Sequence, residues 1–400
     1  MIFELLLAFL LGILAGTFTG LFPGIHINLI ASLLLLSQPS PAQALILPYI
    51  VFIVTMSITH TFIDFIPSIF LGVPEEDTFL SILPGHELFL EGRGQEAVVI
   101  TLYGAIAALP IILISTPLYL IFLPSFYNVL KLFLPFLLIF LSCYLIFREK
   151  EIILSGTIFL LAGFLGYSTF NLPVKEPLLP LLTGLFGLSA LIISIKNKTV
   201  FVKQQILPLK KITLTKKECF KSFTAAALSA PLCSFLPGIG SSHAATLGSE
   251  LITQSRRSFL FLIGAINTIV MALSFITLAA INKSRSGTAA AIETLLPNLS
   301  QNHIILILST IILSSLLAFT IGIFLTKIFA RSINHINYSK LTLAVIALLF
   351  ILNLFLTNFY GLLVLLTSTC IGLACIHAKV RRIQLMGALI LPTIIFYLTN

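Results

Sequence analysis

Long apolar runs, each about as long as a bilayer is thick, follow one another along nearly the whole chain, separated by short polar breaks. A helix needs ~20 apolar residues to cross the hydrocarbon core. About two-thirds of the sequence lies in such runs, which predicts roughly nine to twelve membrane passes. Composition agrees: 58% of the 400 residues are hydrophobic and 9% are charged, against ~25% charged in a soluble globular chain. So few polar side chains cannot cover a water-facing surface. An ordinary soluble enzyme, a disordered protein and a nucleic-acid-binding domain are thereby excluded. The excess of 23 Lys and Arg over 14 Asp and Glu falls in loops, as in a membrane protein. The predicted class is all-α and polytopic, in a cell membrane, with the lipid bilayer as its surroundings. The first run has no basic segment before it and no small-residue cleavage motif, so it reads as a retained helix. The five cysteines show no CxxC spacing and none stands at ligand distance from a histidine. Neither a disulfide framework nor a metal or other cofactor site is expected.

The longest polar stretch, residues 196–221, carries eight lysines against the single acid Glu218. Short lysine-rich loops stay in the cytoplasm. The expected organisation is a first membrane repeat over 1–195, a basic cytoplasmic linker over 196–217 and a second repeat over 218–400. The two halves share a pattern. Pro23-Gly24-Ile25 near the start of the first matches Pro237-Gly238-Ile239 near the start of the second, and Ala31 falls on Ala245. About fifty residues after each Pro-Gly comes a polar break, Gly72–Thr78 and then Lys283–Thr288, and four apolar runs follow each. In the first half those runs lie near 97–123, 126–147, 152–170 and 177–195. An internal duplication is the economical reading. Placing Arg148, Lys150, Lys327, Arg331, Lys379, Arg381 and Arg382 in the cytoplasm orients the halves upside down relative to each other, an inverted repeat.

Each Pro-Gly interrupts an otherwise continuous apolar segment. Proline removes a donor and glycine frees the dihedrals, so the helix stops and restarts, as a broken helix or a re-entrant hairpin. Freed backbone at membrane depth is tolerated only inside protein or beside a watery cavity. The restarted helix offers unpaired N–H groups and the positive end of its dipole, which suits a carboxylate or phosphate. Two such ends facing each other predict an anion site built from Pro23, Gly24, His26, Asn28, Pro237, Gly238, Gly240, Ser241, Ser242 and Thr246. Arg285 lies on the outer side in this orientation, against the positive-inside trend, and is read as facing the anion path or as marking a different local topology. Asp64 is an acid in an apolar run and His243 follows the second break; both are candidates for coupling to H+ or Na+. For Asp64 the plainer reading is an interfacial cap, and for the histidines a ring satisfied by a neighbouring carbonyl. Arg256 and Arg257 read as an ordinary polar turn.

No GxSxG elbow, HExxH pair, GxGD-like protease motif or Walker lysine loop is present, so ATP does not power this chain directly. A lipid hydrolase using Ser242 with His243 is disfavoured, because adjacent helical residues point ~100° apart.

The two Pro-Gly motifs resemble those of the large membrane subunit of the tripartite tricarboxylate transporters. So do Phe70-Leu71-Gly72-Val73-Pro74 and the later Leu83-Pro84-Gly85-His86-Glu87 and Glu91-Gly92-Arg93-Gly94. The likeness covers both halves and looks closest to a compact, archaeal-like branch. It differs at His26, where a small residue is usual. It differs also at Glu75-Glu76-Asp77, and at Lys283–Ser286, where a second Gly-x-Pro-Gly would fall. The resemblance implies ion-driven uptake of carboxylates with a small membrane subunit and an extracytoplasmic binding protein. The leading reading is therefore a secondary transporter, or permease, for an organic anion such as a di- or tricarboxylate, and not an enzyme. A carrier of a lipid-linked phosphate such as polyprenyl phosphate is the alternative, and a membrane scaffold is the remaining one. Assembly with further copies of the chain is left open.

Overall fold

The structure, a computed structural model, describes residues 2–22, 27–37, 45–71, 79–174, 177–196, 202–235, 240–333 and 338–399. Among these residues every regular element is helical. The first half comprises α1 (Ile2–Leu21), α2 (Ile27–Ser37), α3 (Ile46–Ile63), α4 (Phe65–Leu71), α5 (Phe79–Leu90), α6 (Gly94–Phe147) and α7 (Ile152–Asn171). It closes with α8 (Leu178–Leu182), a π-helical turn (Thr183–Leu188) and α9 (Ser189–Lys196). The second half comprises α10 (Lys216–Ser234), α11 (Ser241–Leu251), α12 (Arg256–Ile281), α13 (Gly287–Leu295), α14 (Gln301–Ser332), α15 (Tyr338–Leu356), α16 (Phe359–His377) and α17 (Gly387–Thr399). Eight helices among the described residues are long and apolar enough to cross a membrane. Three shorter apolar helices, Pro135–Phe147, Leu178–Ile193 and Thr342–Leu356, occupy the other runs. The chain is a multi-pass membrane protein.

The order of elements recurs. A long helix, a short one, a long span, another short helix and a long span make α1, α2, α3–α4, α5 and α6, and then α10, α11, α12, α13 and α14. The packing is exchanged between the halves: α6 lies along α12 while α14 lies along α3, and α17 lies on α7 while α16 lies on the π-helical turn. Apolar side chains of both halves join one core. The α6–α12 crossing brings backbones together: a Cβ on Gly264 would sit 2.2 Å from the Thr101 carbonyl oxygen, and one on Gly104 would sit 2.0 Å from that of Phe261. Small residues permit such approach where lipid provides no hydrophobic drive. α1 runs parallel to α3, with Gly16 against Met56 and Gly20 against Ile63.

The runs near 97–123 and 126–147 lie on one continuous helical stretch: α6 spans 54 residues without a break in helical assignment. Straight, it would be about 80 Å long. It is not straight. Glu96 at its start pairs with Arg257 at 2.9 Å, and Arg148 just past its end pairs with Glu250. Those two partners flank the short α11–α12 connection, so both ends of α6 lie on one face and the helix doubles back. Pro110, Pro117, Pro124 and Pro135 lie along it. Each deletes a ladder hydrogen bond, which bends a membrane helix without ending it.

The basic stretch also differs from a free linker. Residues 202–215 lie as a strap over the α5–α6 turn. The Gln204 amide accepts from Gly94 N–H at 3.0 Å and donates to the Phe89 carbonyl at 2.9 Å. Gln95 donates to the Leu207 carbonyl at 3.2 Å and accepts from its N–H at 2.8 Å. Arg257, expected in an ordinary turn, donates to the Thr213 carbonyl at 2.7 Å besides pairing with the buried Glu96.

Candidate functional site

Short helices begin after both Pro-Gly pairs, as the sequence predicts: α2 at Ile27 and α11 at Ser241, eleven residues each. Pro23, Gly24, Ile25, His26, Pro237, Gly238 and Ile239 themselves lie outside the described residues, as do Glu75, Glu76 and Asp77. Gly240 is the N-cap of α11, in extended conformation and without a capping side chain. The His243 and Ala244 N–H groups bond to the Gly240 carbonyl, at 3.1 and 3.3 Å.

The start of α2 meets the other half directly, and the start of α11 reaches it through Asn267. Asn28, in the first turn of α2, accepts the Thr288 N–H of α13 at 3.2 Å through Oδ1. A Cβ on Gly287 would come 2.8 Å from the Asn28 Cβ, so the close approach requires glycine there. Ser286 caps α13, accepting from Ala289 N–H at 3.1 Å, and its hydroxyl also meets Thr288 Oγ1 at 3.1 Å and Ser274 Oγ at 3.2 Å. On the other side, Ser241 Oγ donates to Asn267 Oδ1 at 3.5 Å, and Asn267 Nδ2 donates to Asp64 Oδ2 at 3.0 Å. Ser241, Asn267 and Asp64 are all buried. Asp64 lies at the turn between α3 and α4, inside a 26-residue candidate span. Its own carbonyl accepts both the N–H and the hydroxyl of Ser68, at 3.3 and 2.8 Å. It is thus buried in the protein body and does not cap a helix at the surface.

Arg285 is drawn inward. Nη1 donates to the Ser234 carbonyl at 3.3 Å, at the end of α10 just before the second break. Its charge also acts on Tyr119, Cys233 and His243. Tyr119 of α6 hydrogen-bonds through its hydroxyl to Ser234 Oγ and to the Pro231 carbonyl. His243 is 4% exposed, and neither ring nitrogen has a hydrogen-bond partner. The ring therefore makes no hydrogen bond to Ser242. Nor does a carbonyl satisfy this ring. Thr246 donates to the Ser242 carbonyl of its own helix at 3.1 Å, so its hydroxyl hydrogen is not directed at a ligand.

The starts of the two restarted helices are therefore engaged differently. The α11 start is approached by a carboxylate, relayed through Asn267, and by Arg285 from the direction of Ser234. The α2 start is engaged by α13 and its polar cap. Asn267, Tyr119, Ser234, Ser274, Ser286 and Thr288 escaped the sequence reading. Asn267 alone carried a local signal, an amide inside the apolar run of α12. Among the described residues no group of three or more His, Cys, Asp or Glu side chains could hold a metal ion.

Comparison with known proteins supplies the context. The tripartite tricarboxylate transporter TctA family matches this chain over residues 6–387. An uncharacterized protein of Methanocaldococcus jannaschii is 35% identical over 364 residues, 88% of this chain and 89% of that one. No solved structure matches.

Proposed function

The chain belongs to the tripartite tricarboxylate transporter TctA family, and on that premise we propose that it is a secondary active permease for an organic anion, a di- or tricarboxylate, moved by ion-coupled alternating access. One observation carries the reading: the start of α2 is engaged by Thr288 of the other half, and the start of α11 is linked through Asn267 to Asp64 of the other half, with Arg285 bonded to Ser234 just before the second break. Helix N-termini and a guanidinium suit carboxylates. Groups shared between two repeated halves suit a site whose access alternates as the halves move.

In this reading the anion lies between the starts of α2 and α11. Its donors are the backbone around Gly24 and Gly238, with Asn28, Ser241, Ser242 and Arg285. Asp64 and His243 serve coupling, to H+ or Na+. The halves 1–195 and 218–400 are inverted repeats joined by the basic strap on the cytoplasmic side. The family's tripartite character supports two partners, a small membrane subunit and an extracytoplasmic binding protein that delivers the anion.

Reconstitution into proteoliposomes tests this. Uptake is measured across a panel of di- and tricarboxylates, with and without a Na+ or pH gradient. Gradient-driven accumulation of at least one carboxylate is expected. Absence of flux for every member, with the protein folded, would refute the reading.

A further inference from the structure

The ring of His243 is a buried polar group with both nitrogens isolated. It sits in the first turn of α11, 4% exposed, with no hydrogen-bond partner on Nδ1 or Nε2. A buried imidazole without partners is unfavourable, since its desolvated polar atoms gain nothing in return. Such a group in a native fold calls for a ligand or a role. Three further features converge on it. Gly240 leaves α11 without a side-chain cap. Arg285 is near enough for its charge to act on the ring. Tyr119 and the end of α10 hold the Ser234 carbonyl to which Arg285 donates.

We propose that the first turn of α11 is a carboxylate subsite in which His243 binds the anion as an imidazolium, together with Arg285, so that each anion enters with one proton. This rests on the permease reading above. The electrostatics make the proton conditional. Without an anion, a second positive charge beside Arg285 in a dry site is repelled and poorly solvated. With a carboxylate between the two, the repulsion becomes a pair of charge-assisted hydrogen bonds. The proton comes from bulk water and resides on a ring nitrogen while the anion is bound. Of the charged and titratable groups nearby, Arg285 from the α12–α13 connection acts on the ring, and Cys233 from α10 and Tyr119 from α6 lie against Arg285 in turn. Asp64 reaches the same turn through Asn267 and Ser241.

The test is titration calorimetry of the purified full-length protein in lipid nanodiscs. Succinate, malate and citrate are the probes, in slightly alkaline buffers that differ in ionisation enthalpy. At that pH the probes are almost fully ionised, so a proton taken up on binding is taken up by the protein. The expected result is an uptake of about one proton per bound anion, lost in His243→Gln together with roughly a tenfold or greater weakening. Binding whose heat does not depend on the buffer would overturn the proton coupling while leaving the permease reading intact. Unaltered proton uptake in His243→Gln would move the proton to another group. If none of the probes binds, the permease reading for carboxylates falls and this inference with it. The wild-type stoichiometry decides the main point even if the variant does not fold.

Discussion

Asn267 Nδ2 donates to Asp64 Oδ2 at 3.0 Å, so a buried acid inside a candidate span of the first half is held by an amide 203 positions further along the chain. Through Ser241 this pair also touches the start of α11. An intramembrane carboxylate is costly enough to mark a functional position. Here it is linked to a helix start that is itself a candidate for anion binding. Asp64→Asn is therefore expected to abolish gradient-driven accumulation in proteoliposomes while sparing counterflow exchange. The same assay applied to His26→Gln asks whether the first break shares the role. Unchanged pH dependence in both would exclude a proton role for these two residues.

Arg285 provides the sharpest test of the anion site. A charge-assisted hydrogen bond is worth ~1.5–3 kcal/mol, so Arg285→Gln should weaken carboxylate binding roughly 10- to 150-fold. Ser242→Ala, and Gly24→Val or Gly238→Val at the breaks, should also impair transport. Equilibrium binding of radiolabelled citrate reads the result. If the folded glycine variants transport normally, the Pro-Gly pairs only shape packing.

Arg257 should prove structural. It pairs with buried Glu96 at 2.9 Å and donates to Thr213 at 2.7 Å. Arg257→Ala should lower stability by about 1–3 kcal/mol, seen as a fall in Tm of the detergent-solubilised protein. Lys379→Ala, on an exposed side chain, is the control and should leave Tm within error.

The cap of α10 gives a pH signature. Thr215 and Glu218 form a capping box, and Ser255 Oγ donates to Glu218 Oε1 at 2.8 Å. The Ser255 hydroxyl first, then the Thr215 N–H, holds the Glu218 carboxyl below its ordinary range. A depressed carboxylate contributes stability that is present above the unfolded-state value, about 4.3, and is lost as pH falls through the lower folded-state value. Glu218→Gln should thus be less stable than wild type at neutral pH. The gap should close in acid, which Tm measured against pH will show. Thr215→Ala should cost about 0.5–2 kcal/mol at neutral pH.

Topology is checked by labelling. With single cysteines at Lys203 and Asn171, opposite accessibility is expected across the membrane. Labelling of both from the same side would reject the proposed orientation.

Much of the architecture was legible in the sequence because it is local. Apolar runs made the spans, and proline next to glycine ended α1 and α10 and let α2 and α11 begin. What was hidden depends on distance along the chain. Nothing near Tyr119 indicates that it will meet Pro231 and Ser234, and nothing near Thr288 indicates Asn28. The two runs of α6 were legible, but not that helical structure continues from one to the other, because prolines that bend a helix look the same in sequence as prolines that end one. Arg257 looked like a solvated turn because Glu96 lies far away in sequence.

The strap has a consequence for how the molecule is made. Gln204, Gln205 and Leu207 bond to Phe89, Gly92, Gly94 and Gln95, all of which leave the ribosome before α10 does. The strap can settle on the α5–α6 turn while the second half is still being synthesised. When α12 arrives, Arg257 finds Thr213 and Glu96 already side by side, and the late-inserted half docks onto a surface assembled by the early one.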